Sequence, residues 1–359
     1  MKTKTKKQTT KIILLVLTLI TIQGCATNHQ IPDTYRGTQG IELSFMNNAP
    51  PNTVQENSFT NIMIEIWNKG AYNIPENELL LSLKYDDIYF KEDLTDEYLF
   101  TSQNPEGLLK NELAGKSQEW PAGERLLLPL TRLNVLQILG TRETPTTNIE
   151  LVACYPYKTF LTQTICLDTD IYGVDKNPIC RNRETYIHSN QGAPIAITKI
   201  EVDILPMGFI ESPVTDSHAP VVNETGELIG LELTSGAGTL VLVEPVIRIY
   251  ARNLGRGDVF ISKQENTETM NLCTFRDESF MYRDHNKVKL LNATLDGLDM
   301  DCGTKNTLNL ALSSDFITCR LHPNQTGYLR QNLEVPLYIE LDYYYRESIT
   351  KPIRIQRTS

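Results

Sequence analysis

The feature that most constrains this chain is a period-two alternation of apolar residues that recurs from residue 41 onward. Ile41, Leu43 and Phe45 alternate with Glu42 and Ser44, and Ile62, Ile64 and Ile66 alternate with Met63, Glu65 and Trp67. Leu79, Leu81 and Leu83 repeat the pattern, as do Ile149, Leu151 and Ala153. Successive side chains of a strand point to opposite faces, so each run presents one apolar face to a core. A helix would need apolar residues three and four apart. The runs end on turn formers, Asn47-Asn48-Ala49-Pro50-Pro51 and Asn68-Lys69-Gly70, and another strand-like run, 240–251, closes on Asn253-Leu254-Gly255. The chain therefore reads as mainly β.

The stretch 149–167 reads as a hairpin turning near Lys158–Leu161, which would set Cys154 opposite Cys166 within disulfide reach. Residues 133–139 fit either a strand end or a short helix, and 205–238, with weak periodicity and many turn formers, reads as a long loop or insertion. Six cysteines follow residue 25: Cys154, Cys166, Cys180, Cys273, Cys302 and Cys319. Their gaps of 11, 13, 92, 28 and 16 residues lack the paired spacing of a zinc site, so disulfides are expected and no metal or cofactor is. Hairpin symmetry suggests Cys154 with Cys166 and Cys302 with Cys319. Cys180 and Cys273 would then clamp the two halves together.

The first 24 residues carry five lysines and then an 11-residue apolar run, Ile12 to Ile22. At about 1.5 Å per residue that run covers roughly half of a bilayer core, so it reads as a secretory signal rather than a retained span. The ending Gly24-Cys25 resembles the lipobox of prokaryotic lipoproteins. The resemblance implies cleavage between Gly24 and Cys25 and a diacylglycerol thioether on Cys25. An uncleaved N-terminal membrane anchor is the alternative. Residues 25–40 are polar, with Pro32, Gly37 and Gly40, and read as a tether.

Formal net charge is -10, and removing the leader's five lysines leaves -15. So acidic a surface argues against a nucleic-acid partner, whose phosphates require a basic patch. Acidic clusters occur at Asp86–Glu97, Asp168-Thr169-Asp170 with Asp175, and Asp299-Met300-Asp301 with Gly303, but none completes a calcium loop. His29, His188, His218, His285 and His322 are scattered. Arg256-Gly257-Asp258 sits where a turn is expected anyway. Sequons stand at Asn223, Asn292 and Asn324, and mark exposed loops if the host glycosylates exported chains. Tyr343-Tyr344-Tyr345 alternate faces on a strand, so an outward ring could serve a sugar or a partner. No catalytic fingerprint occurs.

Two landmarks recur. Ile64 to Gly70 is echoed by Ile247 to Gly255, and Ile149-Glu150-Leu151 with Tyr155 and Tyr157 by Ile339-Glu340-Leu341 with Tyr343 and Tyr345. A strand closed by Asn-x-Gly and followed by another strand resembles the CARDB-like, immunoglobulin-type β-sandwich modules of prokaryotic surface proteins. Gly37-Thr-Gln-Gly40, Asn68-Lys-Gly-Ala-Tyr72, Cys154-Tyr-Pro-Tyr157, Gln191-Gly-Ala-Pro194 and Ile339-Glu-Leu-Asp-Tyr343 are together similar to uncharacterised archaeal membrane-tethered proteins. That resemblance implies two tandem Ig-like domains, 41–190 and 191–359, held on the outer face of the cell membrane. It carries no activity. A non-catalytic structural, adhesive or partner-binding role is expected, with a protein or surface polymer as partner. The alternatives are a solute- or calcium-binding lipoprotein, or an accessory subunit of an envelope enzyme or transporter.

Overall fold

Alternation is realised as strand almost everywhere in the computed structural model, and no α-helix occurs among the described residues. The structure describes residues 35–92, 111–140, 144–167, 180–181, 185–188, 190–211, 221–222, 228–230, 239–261, 285–312, 314–321 and 333–358. Among them no helix is long and apolar enough to cross a membrane. The first half supplies β1 (Ile41–Phe45), β2 (Thr53–Gln55), β3 (Ser58–Asn68), β4 (Leu80–Lys84), β5 (Phe90–Glu92), β6 (Arg125–Val135) and β7 (Thr146–Leu167). Next come β8 (Thr185–Ile187), β9 (Ile195–Glu211), β10 (Val221–Val222), β11 (Leu228–Gly230), β12 (Thr239–Asn253) and β13 (Asp258–Phe260). The last are β14 (Lys287–Leu295), β15 (Leu298–Asp299), β16 (Thr307–Asn309), β17 (Ile317–Arg320) and β18 (Leu333–Gln356).

These strands build a sheet β1-β3-β6-β5 in the first half and a sheet β17-β12-β9-β8 in the second. An eight-stranded sheet, β15-β14-β18-β7-β4 with β2, β13 and β16 attached, draws on both halves. Its axis is the antiparallel pair β7–β18, in register from Thr146↔Arg354 to Leu167↔Leu333. Seven consecutive residues of β7, Leu151 to Tyr157, are buried, so both faces of the strand are covered there. The inward faces of all three sheets merge into one continuous core that includes Ile62, Ile64, Leu130, Leu151, Ile197, Ile247 and Leu341. Everything described belongs to one compact unit, Thr34–Ser359, in which the two halves expected as tandem domains are zipped along β7–β18.

The hairpin expected over 149–167 is instead the single strand β7. Lys158–Leu161 contains no Gly, Asn, Asp or Pro to turn the chain, and pairing with β18 satisfies the backbone without a turn. Cys154 and Cys166 are thus twelve positions apart on one strand, roughly 40 Å at strand rise, and cannot bond. Cys166 pairs with Cys180, at a Cα separation of 5.9 Å, which also removes the expected Cys180–Cys273 clamp. Cys154 is disulfide-bonded too, and Cys273 lies outside the described residues. The expected Cys302–Cys319 bond is present.

Prolines in the long ladder obey its hydrogen-bond alternation. Pro156, Pro336 and Pro352 share one parity, opposite Tyr344, Thr164 and Asn148. A residue without an N–H fits the non-hydrogen-bonded sites, where the amide faces away from the partner. The other neighbour is absent at Pro156 and Pro352, since β4 pairs as far as Cys154 and β2 only from Arg354, and at Pro336 it is Asp296, whose N–H donates to the Pro336 C=O at 2.8 Å. In the region 205–238, β9 runs on to Glu211 and pairs with β12 as far as Thr239, and the segment 133–139 continues β6 to Val135.

Candidate functional site

The site grows out of the β7–β18 axis. Tyr155 faces Tyr345 across the ladder and Tyr157 faces Tyr343, so four buried phenol rings cluster around the pair Pro156↔Tyr344. Burial holds all four hydroxyls protonated far beyond the usual tyrosine range. Each hydroxyl therefore needs a partner inside the fold, and each finds one at a corner formed by the other strands.

Those corners occur in duplicate. In the first half the Tyr157 hydroxyl donates to Asn68 Oδ1 (3.4 Å) and accepts from the Tyr72 N–H (3.3 Å). In the second half the Tyr345 hydroxyl donates to Asn253 Oδ1 (3.4 Å) and accepts from the Gly257 N–H (2.6 Å). Asn68 also accepts from Gly70 N–H and donates to Tyr72 C=O, and Asn253 likewise bonds Gly255 and Gly257. Lys69 N–H reaches Gly40 C=O, as Leu254 N–H reaches Pro194 C=O. The Tyr155 hydroxyl accepts from Ile41 N–H (3.0 Å), and that of Tyr343 from Ile195 N–H (3.4 Å). Gly70 and Gly255 are required here, because a methyl at either would overlap the tyrosine hydroxyl.

These bonds set a residue-by-residue equivalence. Tyr155 and Tyr157 correspond to Tyr343 and Tyr345, Asn68 and Gly70 to Asn253 and Gly255, and Ile41 to Ile195. The Asn-x-Gly and tyrosine echoes of the sequence are structural equivalents. The Ile-Glu-Leu echo is not: carrying the tyrosine offset back along β7 and β18 places Ile149-Glu150-Leu151 against Leu337-Tyr338-Ile339.

One copy of this seam is closed and the other is open. In the closed copy Tyr72, Phe160 and Tyr338 stack over the corner, with ring centroids 6.2 Å and 6.5 Å apart. Their equivalents in the open copy are Gly257, Ser348 and Glu150, and these line a cleft of about 1040 Å³. The cleft occupies the space that three rings fill in the closed copy. Neutral residues of the closed copy are also exchanged for ionisable ones: Ala196 for Glu42, Thr159 for Glu347, Ala71 for Arg256 and Asn73 for Asp258.

The electrostatics of the cleft centre on Glu347. Burial first, and the neighbouring Glu42 second, push its carboxyl up to about 7, with Arg256 opposing them. Glu42 is neutralised in part by Lys69 at 2.6 Å, and Asp258 faces His285 Nε2 at 3.3 Å. Glu347 has no hydrogen-bond or ion-pair partner among the described residues. The cleft presents four carboxylates, the guanidiniums of Arg256 and Arg346, hydroxyls and main chain, and is more polar than apolar. Such a lining offers ion-pair and hydrogen-bond partners to a polar ligand.

Of the residues singled out from sequence, Arg256-Gly257-Asp258 does lie in the cleft, as part of the corner between β12 and β13. Tyr343 and Tyr345 are core, and Tyr344 stacks on Phe260 at 5.9 Å. Asp301 Oδ1 accepts from Gly303 N–H at 2.8 Å, an Asx turn. Among the described residues no three His, Cys, Asp or Glu side chains gather as a metal site requires. Asn292 lies within strand β14 rather than in a loop. Gly24, Cys25, Asp168, Asp170, Asp175, Asn223, Asn324, His29, His218 and His322 lie outside the described residues. Glu347, Glu42, Glu150 and Ser348 escaped sequence reasoning. The only signal was the tyrosine echo, which would have aligned Ser348 with Phe160. The chain matches no protein-family model and no curated protein.

Proposed function

We propose that this is an exported protein, anchored by lipid on Cys25 to the outer face of the cell membrane, whose role is to bind a partner without catalysis. The observation that carries the reading is the asymmetry of the duplicated seam. Where one copy keeps an aromatic plug, the other replaces it with a cleft bearing a partnerless half-buried carboxyl. Burying such a group costs stability, and a bound partner would offset that cost. Disulfides Cys166–Cys180 and Cys302–Cys319 support export, since such bonds persist in oxidising compartments. On this reading each half is an Ig-type sandwich of the CARDB-like kind, and the two are fused through β7 and β18.

Two measurements test the proposal. Mass spectrometry of the mature N-terminus should return at least a diacylglyceryl group on Cys25, and an unmodified Cys25 or an intact leader refutes the anchor. Surface crosslinking of intact cells should capture a specific partner, and repeated failure to do so refutes the binding role.

A further inference from the structure

The partner-binding reading can be sharpened by asking what the closed copy does with its strand edge. β9 is not bare on the side away from β12. Gln191 bonds both main-chain groups of Ile197, accepting from its N–H at 2.9 Å and donating to its C=O at 3.2 Å. Thr159 Oγ1 donates to Ile195 C=O at 2.6 Å. Farther along, β8 pairs with β9 and completes the edge.

The equivalent strand of the open copy is β1, the last strand of its sheet. Gly40 C=O and Met46 N–H bond β3, so even-numbered residues of β1 face β3. By the antiparallel alternation, Leu43 and Phe45 direct N–H and C=O away from it. Ile41 follows the same rule, its N–H going to Tyr155 instead of β3. Leu43 is the counterpart of Ile197 and lines the cleft. The counterpart of its Gln191 cap is Gly37, which has no side chain, and the counterpart of Thr159 is Glu347. The counterpart of β8 by the same offset, residues 31–33, lies outside the described residues. The amide that caps the edge in one copy is missing in the other, at the point where the cleft opens.

We propose that the cleft captures an extended peptide segment of a partner protein, which adds to the free edge of β1 through Leu43 and carries a basic side chain to Glu347. The Gln191 amide displays the chemistry required, one donor and one acceptor offered to a single strand residue, and a peptide group supplies the same pair. Charge selects the side chain. Glu42, Glu150, Asp258 and Glu347 outnumber Arg256 and Arg346 in the cleft, so a lysine or arginine complements it and an acidic residue is repelled. This inference rests on the partner-binding reading and adds the site and the chemical class.

The test uses the full chain in detergent and two labelled probes, acetyl-Thr-Val-Lys-Val-Thr-amide and the same peptide with Glu for Lys, followed by fluorescence anisotropy. The Lys peptide should bind about tenfold more tightly than the Glu peptide, with the preference reduced in Glu347→Gln. A double variant, Ser348→Phe with Glu150→Tyr, rebuilds two rings of the closed copy at surface-accessible positions. It should weaken the Lys peptide by about tenfold or more, while its thermal melt shows that it is folded. Equal binding of the two probes, no binding of either, or undiminished binding by the filled variant overturns the proposal. So does a dimer of the wild type that the filled variant dissociates, since the occupant would then be a second copy. If crosslinking in cells captures the same partner with wild type and filled variant alike, this site is wrong and the partner-binding role stands. If wild type captures none, the role itself is wrong.

Discussion

Replacing Glu347 by Gln should stabilise the protein at alkaline pH and leave it nearly unchanged in acid. In the unfolded chain this carboxyl titrates near 4.5, and in the folded protein burial and Glu42 raise it to about 7 against the pull of Arg256. The folded state thus holds the proton more tightly, and folding takes up a proton between those two values. Stability must fall as pH rises through that window and is lowest above it. At roughly 1.36 kcal/mol per pH unit the full cost is about 3 kcal/mol, and solvent screening of a partly exposed group trims it to about 2 kcal/mol. Gln fills the same space without a charge. Urea denaturation of both proteins at about pH 4.5 and about pH 8, with a common m-value, reads the difference. Glu42, Glu150, Asp258, Arg256 and Arg346 line the cleft in both proteins, so the comparison isolates the change at position 347. The variant should gain about 2 kcal/mol on the wild type between those two pH values. An advantage that does not change with pH, or a wild type that is the more stable at alkaline pH, refutes the assignment of Glu347 as a charge held in the cleft at a cost.

Other perturbations follow from the duplicated corners and the disulfides. Asn68→Ala strands the buried N–H of Gly70 and the C=O of Tyr72 and should cost about 2 to 3 kcal/mol in urea melts. Asn253→Ala, at the half-buried corner, should cost about 1 to 2 kcal/mol, and equal losses would contradict the open-and-closed description. Gly70→Ala drives a methyl into the Tyr157 hydroxyl and should cost about 1 to 3 kcal/mol. Part of that loss should return when Tyr157→Phe is added, and a purely additive double variant would exclude the overlap as the cause. Non-reducing peptide mapping should return Cys166 linked to Cys180 and Cys302 linked to Cys319. Replacing both Cys166 and Cys180 by Ala should lower stability by about 3 kcal/mol, and a recovered Cys154–Cys166 link would overturn the strand assignment of β7.

Much of the local structure is legible in the residues themselves. Alternation along Ile62, Ile64 and Ile66 and along Ile41, Leu43 and Phe45 identifies strands, because the two-residue period of a pleated chain leaves few other ways to bury those side chains. Asn68-Lys69-Gly70 and Asn253-Leu254-Gly255 mark strand ends for an equally local reason, since a side-chain amide there can bond the main chain two residues on. The recurrence of Tyr155 with Tyr157 as Tyr343 with Tyr345 signals a duplication before any fold is known.

What the residues could not settle is what pairs with what. Lys158–Leu161 turns or runs straight depending on whether a strand nearly two hundred positions away is there to receive it. That long-range pairing with β18 also decided that Cys166 meets Cys180 and not Cys154. The cleft is a further step removed. Ser348, Gly257 and Glu150 are unremarkable surface residues in sequence, and they acquire meaning only against Phe160, Tyr72 and Tyr338 in the other copy. Sequence by itself determined the period, the strand ends and the repeat, because those depend on forces acting within a few residues. Tertiary structure alone decided the zipped β7–β18 axis, the disulfide partners and the open seam, because each depends on the chain's return across its own length.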